Sequence, residues 1–299
     1  MKTLLIGYGS AGKRHSRILK SFRENSIDYV SKQSIQGEKV FPSLADVPSI
    51  TDYDYYVICS ETSLHYEQLE FINSKTFGKK ILVEKPIFDH IYESSPLKNK
   101  VFVGYNMRFN KTIQGLKSLL LNEEVLFAQA YVGQFLPQWH PRKDYKKSYS
   151  ALKSKGGGVA LDLSHEIDYL LYLFGKIDIK SYYKSHISDL EIETDDIFTC
   201  IGKTEKGIII NCTMDYLCKN LKRTLLVHTN NMTFDCDFIA NQIISYSRAG
   251  TNAIIRYKED KDYAYRKMHE DILFDHGGIV ADYDQAIDVL RICSNMWES

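Results

Sequence analysis

Apolar and polar positions follow two different rhythms along this chain. Through residue 109, short apolar runs recur: Leu4-Leu5-Ile6, Tyr55-Tyr56-Val57-Ile58, Ile81-Leu82-Val83 and Val101-Phe102-Val103. Each is too short for a helix and too evenly apolar for a strand with one wet face. Parallel strands buried on both faces read this way. Segments with helical spacing lie between them, at about 13–22 and 62–74. Strands alternating with helices predict a doubly wound parallel sheet.

After about residue 120 the rhythm changes. Strand-like segments follow at 125–135, 177–187, 196–202, 207–216, 222–229, 231–238 and 242–247. Turn residues such as Glu205-Lys206-Gly207 and Asn230-Asn231 separate them. With little helical pattern between them, they predict an antiparallel sheet. Helical periodicity returns at 113–121, 158–174 and 279–297. An α/β chain of 299 residues suits two domains. The change of period sets them at 1–120 and 121–299.

Composition narrows the partners. There are 38 cations and 38 anions, so no global charge draws the chain to nucleic acid or to an anionic membrane. The six cysteines include no C-x-x-C pair, and most lie inside strand-like runs. They predict buried, reduced thiols in a cytoplasmic protein and no metal site. No apolar run has the length of a membrane span, and the N-terminal run is too short for a signal peptide.

Three stretches carry candidate chemistry. Gly7-Tyr8-Gly9-Ser10-Ala11-Gly12 is a G-x-G-x-x-G sequence between the first strand and a helix. Gly7 permits the tight turn, Gly9 lets a pyrophosphate approach the backbone, and Gly12 lets helix and strand pack closely. The helix N-terminus, with Ser10 and Ala11, faces the phosphates. The second strand, Ile27-Asp28-Tyr29-Val30, runs into Ser31-Lys32 where NAD-specific folds place an acid. A serine and a lysine suit a ribose 2′-phosphate, so the cofactor expected is NADP(H) ahead of NAD(H). Ser60, Thr62 and His65, after the strand 53–60, are further cofactor candidates.

The second stretch is Lys79 to Pro86, K-K-I-L-V-E-K-P. Ligands of open α/β sheets bind beyond the carboxyl ends of strands, which places Glu84 and Lys85 at the rim. Pro86 pushes Lys85 towards extended geometry. Asn106 and Arg108, past the next strand, are candidates for orienting cofactor or substrate, and Arg108 could alternatively pair with Glu84. The third stretch is Gly156-Gly157-Gly158 leading into a helix with Asp162, His165 and Asp168 at i, i+3 and i+6. Neighbours three apart share a helix face. A carboxylate beside a histidine orients it and tunes its basicity, as a general base requires. Between the second and third stretches, Arg142 to Lys155 holds six cations and one anion, Asp144. Trp139, Arg142, Lys143, Tyr145, Lys146 and Lys147 are therefore candidates for an anionic substrate group. The alternative is a solvated loop.

Taken in order, the glycine loop, Glu84-Lys85-Pro86, Gly104-Tyr105-Asn106-Met107-Arg108-Phe109 and the triple-glycine helix with Asp162 and His165 resemble the Gfo/Idh/MocA oxidoreductases over nearly the whole chain. The resemblance implies an N-terminal Rossmann domain and a C-terminal α+β domain with a large open, mainly antiparallel sheet. That sheet often serves oligomer contacts, so a homo-oligomer, dimer or tetramer, is expected. It also implies that Lys85 and His165 work on a sugar hydroxyl. Many relatives carry D-x-x-x-H, whereas here Asp162 and His165 form D-x-x-H, which leaves the aspartate's part open. The Trp139–Ser150 run resembles a branch associated with bacterial surface-polysaccharide sugars, implying an anionic sugar or nucleotide sugar. The expected reaction moves a hydride between nicotinamide and a secondary alcohol. Lys85 and His165 are expected to face one substrate oxygen, with Asp162 assisting. The alternatives are a non-catalytic dinucleotide-sensing regulator on the same fold and a dehydrogenase of a neutral polyol.

Overall fold

The structure is a computed structural model that describes residues 1–139, 144–250, 252–276 and 278–294. It divides into two compact units. The first is Met1–Asn106 with Asp262–Leu290, and the second is Met107–Lys261 with Arg291–Ser299.

The first unit is built on strands β1 (Lys2–Ile6), β2 (Ser26–Val30), β3 (Val40–Phe41), β4 (Tyr55–Ile58), β5 (Lys80–Val83) and β6 (Lys100–Val103). They lie side by side in the order β6-β5-β4-β1-β2-β3, all parallel. Helices α1 (Ser10–Leu19) and α2 (His65–Lys75) follow β1 and β4. The apolar runs are buried as their pattern requires: Leu4, Leu5, Tyr55 to Ile58 and Ile81 to Val83 are at or near zero exposure. The strand order reverses at β1, and such a switch point is where open α/β sheets take their ligands. Backbone bonds align the carboxyl ends there. Cys59 N–H donates to Ile6 O, Glu84 N–H to Ile58 O and Gly104 N–H to Val83 O, each at 2.8 Å. One rim therefore carries the glycine loop, Ser60, Lys85 and Asn106.

In the second unit, eight strands form one sheet. They are β7 (Val125–Gly133), β8 (Ile177–Ser185), β9 (Ile197–Thr204), β10 (Ile209–Asp215), β11 (Lys222–Thr229), β12 (Met232–Asp237), β13 (Gln242–Ser247) and β14 (Asn252–Arg256). Their order is β14-β13-β12-β11-β7-β10-β9-β8. Every pairing is antiparallel except β7 with β10. Alternation along the strands gives the sheet two characters. Ala128, Ala130, Ile210, Cys212, Leu225 and Val227 are buried on one face, while Ile201 and Ile209 are exposed on the other. The buried face meets the helices α3 (Lys111–Leu119), α4 (Val159–Asp162) and α5 (His165–Phe174); α5 packs on β7 and β10.

Several expectations change. The units part at Asn106 and Met107, not near residue 120, because α3 packs against β13 of the second sheet. The chain also returns: α6 (Tyr263–Phe274), β15 (Ala281–Asp282) and most of α7 (Tyr283–Ser294) belong to the first unit. There β15 pairs antiparallel with β6 and extends the first sheet. The single helix expected over 158–174 is two, since Leu163 leaves helical geometry at φ −101° and ψ 19°. Among the described residues, no helix is long and apolar enough to cross a membrane.

Candidate active site

The glycine loop is shaped by close approaches. Gly7 has φ +92°, and a Cβ there would lie 2.6 Å from Cys59 O. A Cβ on Gly12 would lie 2.2 Å from Gly7 O, so α1 can pack over the loop only with glycine at that position. Gly9 differs: a Cβ there would meet no protein atom within 4 Å. The protein itself does not require that glycine, and the space in front of it is open. Beside this space the N-terminus of α1 has neither a capping side chain nor an acidic residue in its first turn. Its orphan N–H groups and positive dipole end suit a pyrophosphate. These features fit the dinucleotide that the sequence pattern implies.

The ribose end follows from β2. Asp28 is engaged within the protein, accepting from the Tyr53 hydroxyl at 2.7 Å. Ser31 stands at the strand end, its hydroxyl accepting from Gln33 N–H at 3.0 Å, and Lys32 is exposed. After β4, the Ser60 hydroxyl is 2.7 Å from Gln68 Oε1, and Thr62 is buried. His65, expected on the cofactor, is buried and acts as a brace. Its ring nitrogens lie 3.1 Å from Pro86 O, 3.2 Å from Ile87 O and 3.3 Å from Ser60 O. Burial pushes its pKa below the ordinary value, against those carbonyl bonds. Asn106 is half-buried on the rim.

Lys85 is half-buried and is joined to Pro86 by a cis peptide. Glu84, also expected on the cofactor, is engaged within the protein. It is 8% exposed, and its Oε2 accepts from Lys85 N–H at 3.1 Å. Its Oε1 accepts from His15 Nε2 at 2.7 Å. His15, fully buried on α1, was missed by motif reasoning. The signal was its place on the face of α1 that also buries Gly12, Ile18 and Leu19.

In the second unit, His165 opens α5 and is half-buried. Asp162 ends α4, across the helix break, and is buried. Its Oδ2 accepts from the Tyr216 hydroxyl at 2.5 Å. Burial first, then the Asp162 charge, raises the Tyr216 pKa well above its usual range, so this hydroxyl stays protonated. The Trp139 ring meets Tyr216 edge-on at 5.4 Å, and its N–H donates to Gln134 O at 3.3 Å. Trp139, Tyr216 and Asp162 thus form one cluster, and Tyr216 carried no motif signal.

Arg108 pairs with neither Glu84 nor solvent. It is 2% exposed and donates from Nε and Nη2 to the Asp168 carboxylate at 2.7–3.1 Å. This forked pair engages the guanidinium that the sequence offered for orienting a ligand, and with it the Asp168 carboxylate. Glu166, fully buried, has Arg223 Nε 2.8 Å away. In the cationic loop, Lys146 pairs with Glu191 at 2.5 Å, Tyr145 accepts from Glu191 N–H at 3.3 Å, and Lys147 is exposed. Arg142 and Lys143 lie outside the described residues. Among the described residues, no group of three His, Cys, Asp or Glu side chains could hold a metal ion.

Comparison with known proteins agrees with this geometry. Residues 1–101 match a family described as an oxidoreductase family with an NAD-binding Rossmann fold. Residues 124–234 match the GFO/IDH/MocA C-terminal domain. The chain belongs to the Gfo/Idh/MocA oxidoreductase family. No curated protein matches it. Among solved Gfo/Idh/MocA-like structures, UDP-N-acetylglucosamine 3-dehydrogenase GnnA from Acidithiobacillus ferrooxidans superposes with a TM-score of 0.81 at 18% identity, over 99% of this chain and 96% of that one. The WlbA dehydrogenase from Bordetella pertussis, in complex with NADH and UDP-GlcNAcA, gives 0.80 at 16%, over 99% and 94%. An oxidoreductase from Agrobacterium radiobacter in complex with NAD+, L-tartaric acid and magnesium gives 0.81 at 13%, over 98% and 94%. At these identities the likeness establishes the shared fold.

Proposed function

We propose that this protein is a nicotinamide-dependent dehydrogenase acting on a secondary hydroxyl of a sugar, with an anionic sugar or nucleotide sugar as substrate class. The observation that carries the reading is the rim of the first sheet. An open glycine, an uncapped helix N-terminus and a half-buried lysine stand there at the switch point.

A bound nicotinamide supplies the carbon that accepts or returns the hydride. Lys85 donates to the substrate oxygen and stabilises its developing charge. His165 takes the hydroxyl proton. Asp162, anchored by Tyr216, supports His165 from the end of α4. Gly9 and the first N–H groups of α1 bind the pyrophosphate, and Ser31 with Lys32 favours NADP(H) over NAD(H). The exposed Lys147, with Arg142 and Lys143, supplies positive charge for the anionic group, while Trp139 offers a flat apolar surface. Dehydrogenases of UDP-sugars among the structural neighbours support this substrate class. The open face of the second sheet, with Ile201 and Ile209, supports a homo-oligomer.

The test is calorimetric titration with NADH and NADPH, followed by turnover assays on UDP-sugars, sugar acids and inositol. The reading expects cofactor binding weakened by Lys32→Glu for NADPH alone, and turnover of an anionic sugar with a salt-sensitive KM. Preference for NADH untouched by Lys32→Glu would remove the NADP(H) half. Turnover of inositol alone would replace the substrate class with a neutral polyol.

A further inference from the structure

Two arginines of the second unit grip the helix that His165 opens. Arg108, in the turn before α3, donates from Nε and Nη2 to the Asp168 carboxylate at 2.7–3.1 Å. Its guanidinium also stands over the ring of Tyr172, one turn further along α5, at 5.1 Å from the ring centre. Gln114 of α3 donates to the Arg108 carbonyl and reaches the Tyr172 hydroxyl at 3.0 Å. Arg223, near the start of β11, brings its Nε to 2.8 Å from Glu166 Oε1. The two guanidiniums come from elements far apart in sequence and meet the same turn.

Helix geometry gives these contacts a direction. At about 3.6 residues per turn, Glu166 lies about 100° round the axis on one side of His165 and Asp168 about 60° on the other. The two carboxylates straddle the histidine, so a rotation of this turn in either sense draws one of them off its arginine. The apolar stripe of Ile167, Leu170 and Phe174 lies on the far side of the axis, where it packs α5 on the sheet. No continuous helix steadies the turn from the other end, because the chain leaves helical geometry at Leu163.

Stability does not account for two such pairs in one turn. Glu166 and Asp168 are fully buried, and Arg108 is 2% exposed. Apolar residues of similar volume often stabilise a buried site as well as an ion pair does. What a forked guanidinium–carboxylate pair adds is direction. Burial raises the Asp168 pKa to about 6 against the Arg108 charge and bonds, so at about pH 8 the carboxylate is ionised and the fork complete.

We propose that Arg108 and Arg223 are positioning residues: by holding Asp168 and Glu166 on either side of His165, they set the rotation of α5 and aim the imidazole at the substrate hydroxyl. The last step rests on the base role given to His165 above. A small rotation is enough to matter, since a misplacement of about 1 Å at a reacting group can cost about a hundredfold in rate.

The experiment is a mutant cycle at that pH, read by kinetics, melting temperature and the 13C–1H spectrum of 13C-labelled histidine rings. Arg108→Lys keeps a cation beside Asp168 and loses the fork. Arg108→Met/Asp168→Leu replaces the pair with apolar side chains and should keep a near-native melting temperature. Both should lower kcat about tenfold or more, with KM and dinucleotide affinity unchanged. Both should also shift or split the His165 ring signal, which is assigned by its loss in His165→Ala. In the His165→Ala background neither change should lower kcat further, because both act through that ring. An unmoved His165 signal in the folded variants would overturn the proposal. So would unchanged kcat, or equal losses with and without His165, wherever His165→Ala is itself impaired. Should the variants at Arg108 fail to fold, Arg223→Lys, at a side chain 21% exposed, is read in the same way. His165→Ala with full turnover, alongside a shifted ring signal in the other variants, would remove the base role of His165 and leave the positioning of α5 standing.

Discussion

The end of β5 and the start of α5 pose the same problem and meet it differently. Each presents one half-buried candidate catalytic side chain, Lys85 or His165, next in sequence to a buried carboxylate, Glu84 or Glu166. Glu84 is met by the imidazole of His15. Glu166 is met by Arg223, and Asp168, one residue further on, by Arg108. Arginine stays charged throughout the accessible pH range. The second unit therefore fixes its cations outright, yet burial outweighs the Arg108 charge and raises the Asp168 pKa to about 6, whereas in the first unit the His15 bond and charge, against burial, hold Glu84 below the ordinary carboxylate range.

The largest effect should come from breaking a fixed pair. Asp168→Ala removes the carboxylate from the Arg108 guanidinium, which is 2% exposed, and losing one member of a buried pair costs about 3–5 kcal/mol. Urea unfolding should show that loss, and adding Arg108→Met should recover much of it. A cost below about 1 kcal/mol, the range of surface pairs, would undo the contrast. Next come the two candidate catalytic side chains. Lys85→Ala and His165→Ala should each lower kcat about a hundredfold or more, with cofactor affinity almost unchanged. Asp162→Asn should cost less, since Tyr216 can still donate to the amide oxygen.

The pH response follows in size. His269 and His65 have folded pKa values below the ordinary 6.5, so below that pH the unfolded chain binds more protons than the native one. The contribution of these two histidines should fall as pH drops from 6.5, by up to about 1.4 kcal/mol per pH unit for each, while Asp168, raised to about 6 because burial outweighs the Arg108 charge, is protonated first in the native state and offsets part of that loss below pH 6. Glu84, also lowered, adds stability above the ordinary carboxylate range that is lost as pH falls through its folded value. His269→Gln should flatten the slope between pH 6.5 and 5 in chemical denaturation, and an unchanged slope would place the acid sensitivity elsewhere. The smallest effect is at Gly9. Gly9→Ala should leave stability within about 0.5 kcal/mol while weakening dinucleotide binding, because only a ligand needs that space. Gly12→Ala, driven against Gly7 O, should destabilise the fold instead.

Periodicity made both sheets legible, because it records which faces are buried. The runs at β1, β4 and β5, and the strands from β8 to β13, stand where the pattern puts them. The return of residues 262–290 to the first unit was not legible. The buried stripe of α6 includes His269 and Asp271 beside Met268 and Ile272, so a polar-looking helix conceals a core face. At the site, Gly7 and Gly12 could be read because close approaches demand glycine there, and the place of Lys85 at the rim could be read because it follows a buried strand. Glu84 and Arg108 could not be assigned, since their partners lie 69 and 60 residues away. Spacing showed that Asp162, His165 and Asp168 were close in sequence, but not that the helix breaks between the first two or that an arginine claims the third.

The central claim is that Lys85 and His165 act as one unit on a single alcohol. Kinetics of the Lys85→Ala/His165→Ala double variant beside the two single variants test it most directly. The account predicts that the double variant loses far less kcat than the product of the single losses, since removing either member already disables the step. Fully multiplicative losses, or turnover retained in the double variant, would contradict it.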